Sequence, residues 1–121
     1  MPRKILDESL IHPAVRETIS AHHADIVAEV QAAVAANAVV VVGMRQNPMP
    51  KHARKILDMD RIAYKYLEYG SYFRGWRRRT ALKMWTGWPT FPMVFVKGVL
   101  VGGAADLARL HASGELKKML S

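Results

Sequence analysis

Cysteine is absent from the 121 residues. That excludes disulfide scaffolds, cysteine-ligated zinc, iron–sulfur clusters held by cysteine thiolates, and every thiol nucleophile. Acidic residues are scarce as well: 10 Asp and Glu stand against 18 Lys and Arg, a formal net charge of +8. None lies between Tyr69 and Ala105, a stretch that carries Arg74, Arg77, Arg78, Arg79, Lys83 and Lys97. The imbalance favours anionic partners without choosing among phosphate, carboxylate, nucleic acid and membrane surface. A membrane-spanning run is also missing. The longest apolar region, Ile26 to Val42, is interrupted by Glu29, Gln31 and Asn37 and is too short and polar to cross a bilayer. The start is basic, but Asp7 and Glu8 follow at once without the apolar core of a signal peptide. The expectation is a soluble, cytoplasmic protein.

The composition supports one folded domain. Half of the residues are hydrophobic and three are Trp. A chain of this length buries enough surface to fold without a covalent staple, and global disorder is excluded.

Periodicity places the elements. Ile11, Val15 and Ile19 are spaced for a short amphipathic helix, which His22-His23 breaks or caps. Ile26, Val27, Val30 and Val34 mark a second helix that stops near Asn37. Ala38 to Val42 is a β-branched run closed by Gly43 and reads as a strand buried on both faces. The prolines of Asn47-Pro48-Met49-Pro50 suggest a loop, followed by a helix over Lys51–Met59. Ile62 to Leu67 suits a second strand. A helix over Arg74–Trp85 should turn Ala81, Leu82 and Trp85 inward and its arginines outward, and the spacing of Trp76 from Thr80 favours a core position. Met93–Val96, Lys97-Gly98 and Val99–Val101 read as a hairpin with a two-residue turn. A last helix begins near Asp106 and weakens at Ser113-Gly114 before Leu116, Met119 and Leu120. The expected fold is α/β: three layers, α/β/α, with a four-stranded mixed sheet.

The run Trp88-Pro89-Thr90-Phe91-Pro92, continuing from Met93 to Gly103, sharpens this picture. It resembles monothiol glutaredoxins, whose pattern is WPTFPQLYVKGELIGG followed by Cys-Asp and a helix. Ser113-Gly114-Glu115-Leu116 resembles that family's final helix. The resemblance spans residues 27–120 and is sharpest from Trp88 onward. It implies a thioredoxin-like, glutaredoxin-type domain over residues 25–121, with residues 1–24 as an N-terminal helical extension. It further implies a cis bond before Pro92, which would present the Phe91 backbone to an extended ligand as an added strand would. In that family the ligand is glutathione. Arg45 or Lys51 would supply the basic residue near the loop, Thr90 and Phe91 the backbone strand, and Gly103 and Asp106 the approach to the γ-glutamyl end.

The departures are as informative. The family's catalytic cysteine precedes the helix after the first strand. Counting back from Trp88 reaches Pro50; counting forward from Arg45 reaches Pro48. Neither is a sulfur nucleophile, and thiol–disulfide exchange needs an attacking thiolate. The cysteine after Gly-Gly is replaced by Ala104, and the Asp is displaced to Asp106. The expectation is therefore a redox-inactive glutaredoxin relative acting as a binding module, with glutathione or an acidic protein as partner and no iron–sulfur cluster. Two alternatives belong to other classes. One is a cysteine-independent enzyme using His52 and Lys51. The other is nucleic-acid or acidic-partner binding by the basic helix 74–85, where a solvated charged face competes with phosphate contact. His12, His22, His23, His52 and His111 lack the i, i+4 spacing of a helical metal site.

Overall fold

The structure is a computed structural model that describes residues 3–45, 47–71 and 74–121. A 3-10 turn over Glu8–Leu10 leads into α1 (Pro13–Ala21) and α2 (Ala24–Ala36). Then come β1 (Val39–Gly43), α3 (Pro48–Met59), β2 (Lys65–Glu68), α4 (Trp76–Thr86), β3 (Met93–Val96), β4 (Val99–Gly102), α5 (Ala104–Ser113) and α6 (Glu115–Leu120). His22 and His23 separate α1 from α2, with His23 at φ 44°.

The strands lie in the order β2-β1-β3-β4. β1 runs parallel to β2 and antiparallel to β3, and β3 pairs antiparallel with β4. β1 is therefore central, as its run of valines requires. Successive side chains of a strand point to opposite faces. Val40 and Val42 face a core with Ile26 and Val30 of α2 and Ala81 and Leu82 of α4. Val39 and Val41 face a second core with Ala53 and Leu57 of α3, Leu107 of α5 and Leu116 of α6. β3 alternates in the same way, Met93 and Phe95 toward the first core and Val94 and Val96 toward the second. The three-layer α/β/α architecture with a four-stranded mixed sheet follows. Among the described residues no helix is long and apolar enough to cross a membrane.

Several local expectations are corrected. α3 starts at Pro48 rather than Lys51, because Asn47 caps it and the first helical turn tolerates proline, whose missing N–H has no intrahelical acceptor there. β2 begins at Lys65, not Ile62. The preceding residues close off α3 instead: the Ile62 N–H donates to the Leu57 carbonyl and Arg61 takes φ 55°. α5 begins at Ala104. On α4, Trp76 is 55% exposed instead of core and Trp85 is 38% exposed, stacked on Phe95 at 6.0 Å. Arg79 turns inward and is only 6% exposed.

Candidate functional site

The N-terminus of α3 meets the loop before β3 through one side chain. The Asn47 Oδ1 accepts from the Met49 N–H at 3.0 Å, and its Nδ2 donates to the Phe91 carbonyl at 3.0 Å. The Phe91–Pro92 peptide is cis. An unpaired helix N-terminus ordinarily offers free N–H groups to an anion. Here Pro48 and Pro50 have none, and Asn47 takes the one on Met49. The first three helical residues thus leave no donor for a thiolate or other anion. Pro50 is also pressed against the end of β1: a Cβ on Gly43 would lie 2.8 Å from Pro50 Cβ and from Tyr66 Oη. Glycine at position 43 is what permits this approach.

Both sequence counts for the position of the family's cysteine end on prolines of α3. The residue that precedes the helix, with its side chain facing Phe91, is Asn47. Sequence reasoning missed it, although Asn followed by Pro is a recognisable start signal for a helix.

A groove of about 460 Å³ runs beside this junction, lined by Met44, Asn47 and Met49 on one wall and by Thr90, Phe91, Arg79 and Lys83 on the other. Among the described residues it contains two cations and no carboxylate. Lys83 Nζ lies 5.9 Å from the centre of the Phe91 ring. Arg79 Nη1 is committed to the Tyr69 carbonyl at 3.1 Å and the Arg74 carbonyl at 2.8 Å. Burial pushes its pKa below the ordinary arginine value, yet a guanidinium remains charged at any physiological pH. Arg79 and Lys83 are one helical turn apart, so both reach the same side of α4.

The residues anticipated from the sequence are divided between places. Thr90 and Phe91 line this groove. Arg45 and Lys51 line a second one on the other side of the α3 N-terminus, and only Met44 and Asn47 belong to both. Pro92 is buried, and its carbonyl lies 3.5 Å from where a Cβ on Gly103 would stand. Asp106 is turned back on its own helix. Its Oδ2 accepts from the Gly103 N–H at 2.9 Å and its Oδ1 from Arg109 Nη2. The Gly103 bond holds the carboxyl below the usual aspartate range. His52 is exposed on α3. Among the described residues no cluster of His, Asp or Glu could hold a metal ion.

Trp88 packs behind the groove, its Cζ2 3.8 Å from the Gly103 Cβ position. Its Nε1 is buried, with no acceptor among the described residues. An unsatisfied buried donor is already a cost. Trp88→Phe removes that donor and keeps a ring, so we expect a stability change under about 1 kcal/mol. Thermal unfolding checks this, and a large loss would reveal an acceptor for Nε1.

A central β1, a cis bond before Pro92 and a groove at the α3 N-terminus define a thioredoxin-like protein without a cysteine. The comparisons with known proteins are specific. The family model described as Glutaredoxin matches residues 39–101. A glutaredoxin-like protein of Dictyostelium discoideum is 45% identical over 98 residues, covering 81% of this chain and 80% of that protein. The crystal structure of oxidized glutaredoxin 2 from Chlamydomonas reinhardtii superposes with a TM-score of 0.70 at 30% identity, covering 81% of this chain and 92% of the other. A buckwheat glutaredoxin–glutathione complex superposes with a TM-score of 0.71 at 25% identity, covering 82% and 90% respectively. The chain belongs to the glutaredoxin family, and it has no cysteine.

Proposed function

We propose that this protein is a redox-silent member of its family that works by binding, with glutathione or a glutathione-bearing protein taken into the groove beside Phe91. The carrying observation is the groove's composition: Arg79, Lys83, Thr90 and the Phe91 backbone converge there with neither a carboxylate nor a sulfur nucleophile. Glutathione is a net anion with an extended peptide backbone. Lys83 would hold a carboxylate, and Thr90 and Phe91 would pair with the backbone. The Phe91 carbonyl already accepts from Asn47, so the ligand shares or displaces that bond. Asp106, engaged by Gly103 and Arg109, contributes through the shape of the α5 start rather than by direct contact. A glutathione complex among the similar structures supports the ligand class. Residues 1–24 are proposed as an appended helical extension.

Reduced and oxidised glutathione, titrated separately and followed by amide chemical shifts, test the reading. At millimolar ligand the shifts should concentrate on Asn47, Met49, Thr90, Phe91 and Gly103. Lys83→Gln should weaken binding by about three- to tenfold, the size of one partly exposed charge-assisted contact. An unchanged spectrum with both forms would defeat the proposal.

A further inference from the structure

The second groove, between α3 and β2, is separate from the glutathione reading. We propose that it is a docking surface for an acidic segment of a partner protein, organised around Arg54. The groove measures about 460 Å³ and is lined by Arg45, Lys51, Arg54 and Lys55 against Asp58 and Glu68.

Arg54 is held ready. Its guanidinium stacks on the Tyr66 ring at 4.3 Å, and its Nε donates to the Tyr64 hydroxyl at 3.4 Å. Both tyrosines come from the same side of the β2 segment, two residues apart, so the guanidinium is held by one ring face and one hydroxyl. This leaves the two terminal nitrogens, the pair that binds a carboxylate in a fork. A guanidinium fixed in advance loses less conformational freedom when a ligand arrives. Lys51 and Lys55 flank it at i−3 and i+1 on α3, and Arg45 stands at the end of the row, with its side chain 75% exposed. Lys51, Arg54 and Lys55 share one face of the helix at i, i+3 and i+4 spacing.

The two carboxylates offset only part of the charge of the four cations. Glu68 is engaged from both sides, its Oε1 accepting from the Tyr66 hydroxyl at 3.1 Å and its Oε2 lying 3.5 Å from Arg45 Nε. Asp58 lies at the far end of the row, one turn beyond Arg54. Cations spread along a helix face suit a succession of carboxylates better than one compact phosphate. Nucleic acid would want an open aromatic face for stacking, and the Tyr66 ring is covered by Arg54.

On the alternative basic surface, α4, two cations are engaged by other groups of the protein and a third rests on an aromatic ring with no second hold among the described residues. Arg78 pairs with Asp25 at 3.1 Å, Arg79 holds two carbonyls, and Arg77 lies over Trp76 at 5.1 Å. The surface proposed for the acidic partner therefore lies on α3, with α4, where the sequence suggested it, as the alternative that the test separates.

Fluorescence anisotropy with a labelled Glu/Ala peptide is the test, with the matching Gln/Ala peptide and a single-stranded oligonucleotide as competitors. We expect saturable binding of the Glu/Ala peptide alone. Arg54→Ala should weaken it about tenfold, and Arg54→Lys, which keeps the charge and loses the fork, about fivefold. Arg77→Gln on α4 should leave it unchanged. Absent binding, an unaffected Arg54→Lys, an equal loss in Arg77→Gln, or tighter binding of the oligonucleotide would each overturn the proposal.

Discussion

Arg79→Met should destabilise the protein by about 2–3 kcal/mol, although on the same helix Arg77 is exposed and Arg78 only half-buried. The loss has a specific origin. Arg79 Nη1 bridges the Tyr69 and Arg74 carbonyls, which belong to the connection between β2 and α4. Hydrogen bonds from a charged donor contribute roughly 1.5–3 kcal/mol each, and Met leaves the buried Tyr69 carbonyl without its donor, while the part-buried Arg74 carbonyl keeps only the Ser71 N–H. Gly70, between them, has φ +65°, and a Cβ there would lie 2.2 Å from the Arg74 carbonyl oxygen and 2.9 Å from Arg79 Nη1. Gly70→Ala should therefore disturb the same connection by strain and by collision. Arg79→Lys should fall between wild type and Arg79→Met, because one ammonium lacks the guanidinium's planar reach. Urea unfolding of the three variants provides the measure. A loss below 1 kcal/mol for Arg79→Met would show that water satisfies those carbonyls. The Tyr69 hydroxyl reinforces this region by donating to Glu29 at 2.6 Å, and burial, ahead of that carboxylate, pushes its pKa upward so that it stays a donor.

Asn47→Cys should give this cysteine-free protein a reactive thiol. The substitution puts sulfur at the N-cap of α3, facing the Phe91 carbonyl, and frees the Met49 N–H from the Asn47 Oδ1. A helix N-terminus lowers a thiol pKa by offering N–H groups and the positive end of the helix dipole. Only one such donor exists here, since Pro48 and Pro50 supply none. The thiol pKa should fall from the ordinary value near 8.5 to about 7–8. Adding Pro50→Ala restores a second donor and should lower it by about one further unit. The rate of iodoacetamide alkylation against pH reads both values. If neither variant departs from an ordinary thiol, the α3 N-terminus has lost its capacity to stabilise a thiolate for reasons beyond Pro50. An equal shift in both would show the proline to be immaterial.

These expectations describe a glutaredoxin fold without its family's cysteine. The cores on the two faces of the sheet, the cis Phe91–Pro92 peptide and the junction between α3 and the Phe91 loop are intact. The sulfur and two of the first-turn N–H groups of α3 are missing. What the junction keeps is a way of joining two segments, now made by an amide side chain.

The sequence by itself determined the elements whose environment repeats along the chain. The valines of β1 declared a strand buried on both faces, because only a central strand lacks a polar side. The Lys97-Gly98 turn declared the hairpin, because few residues accept positive φ, and both do so here, at 53° and 81°. The absence of cysteine ruled out thiol exchange without any geometry. The tertiary structure alone decided the site. Asn47 and Phe91 are 44 residues apart in sequence, and sheet order, not periodicity, brings them together. The same ordering puts Thr90 and Phe91 on one side of α3 and Arg45 and Lys51 on the other. It also buries Arg79: three consecutive arginines look alike along the chain, and only the Tyr69 and Arg74 carbonyls distinguish the one that turns inward. Local pattern reports what a residue's own helix or strand requires, whereas a site is made of groups that the chain brings together only after those elements have packed.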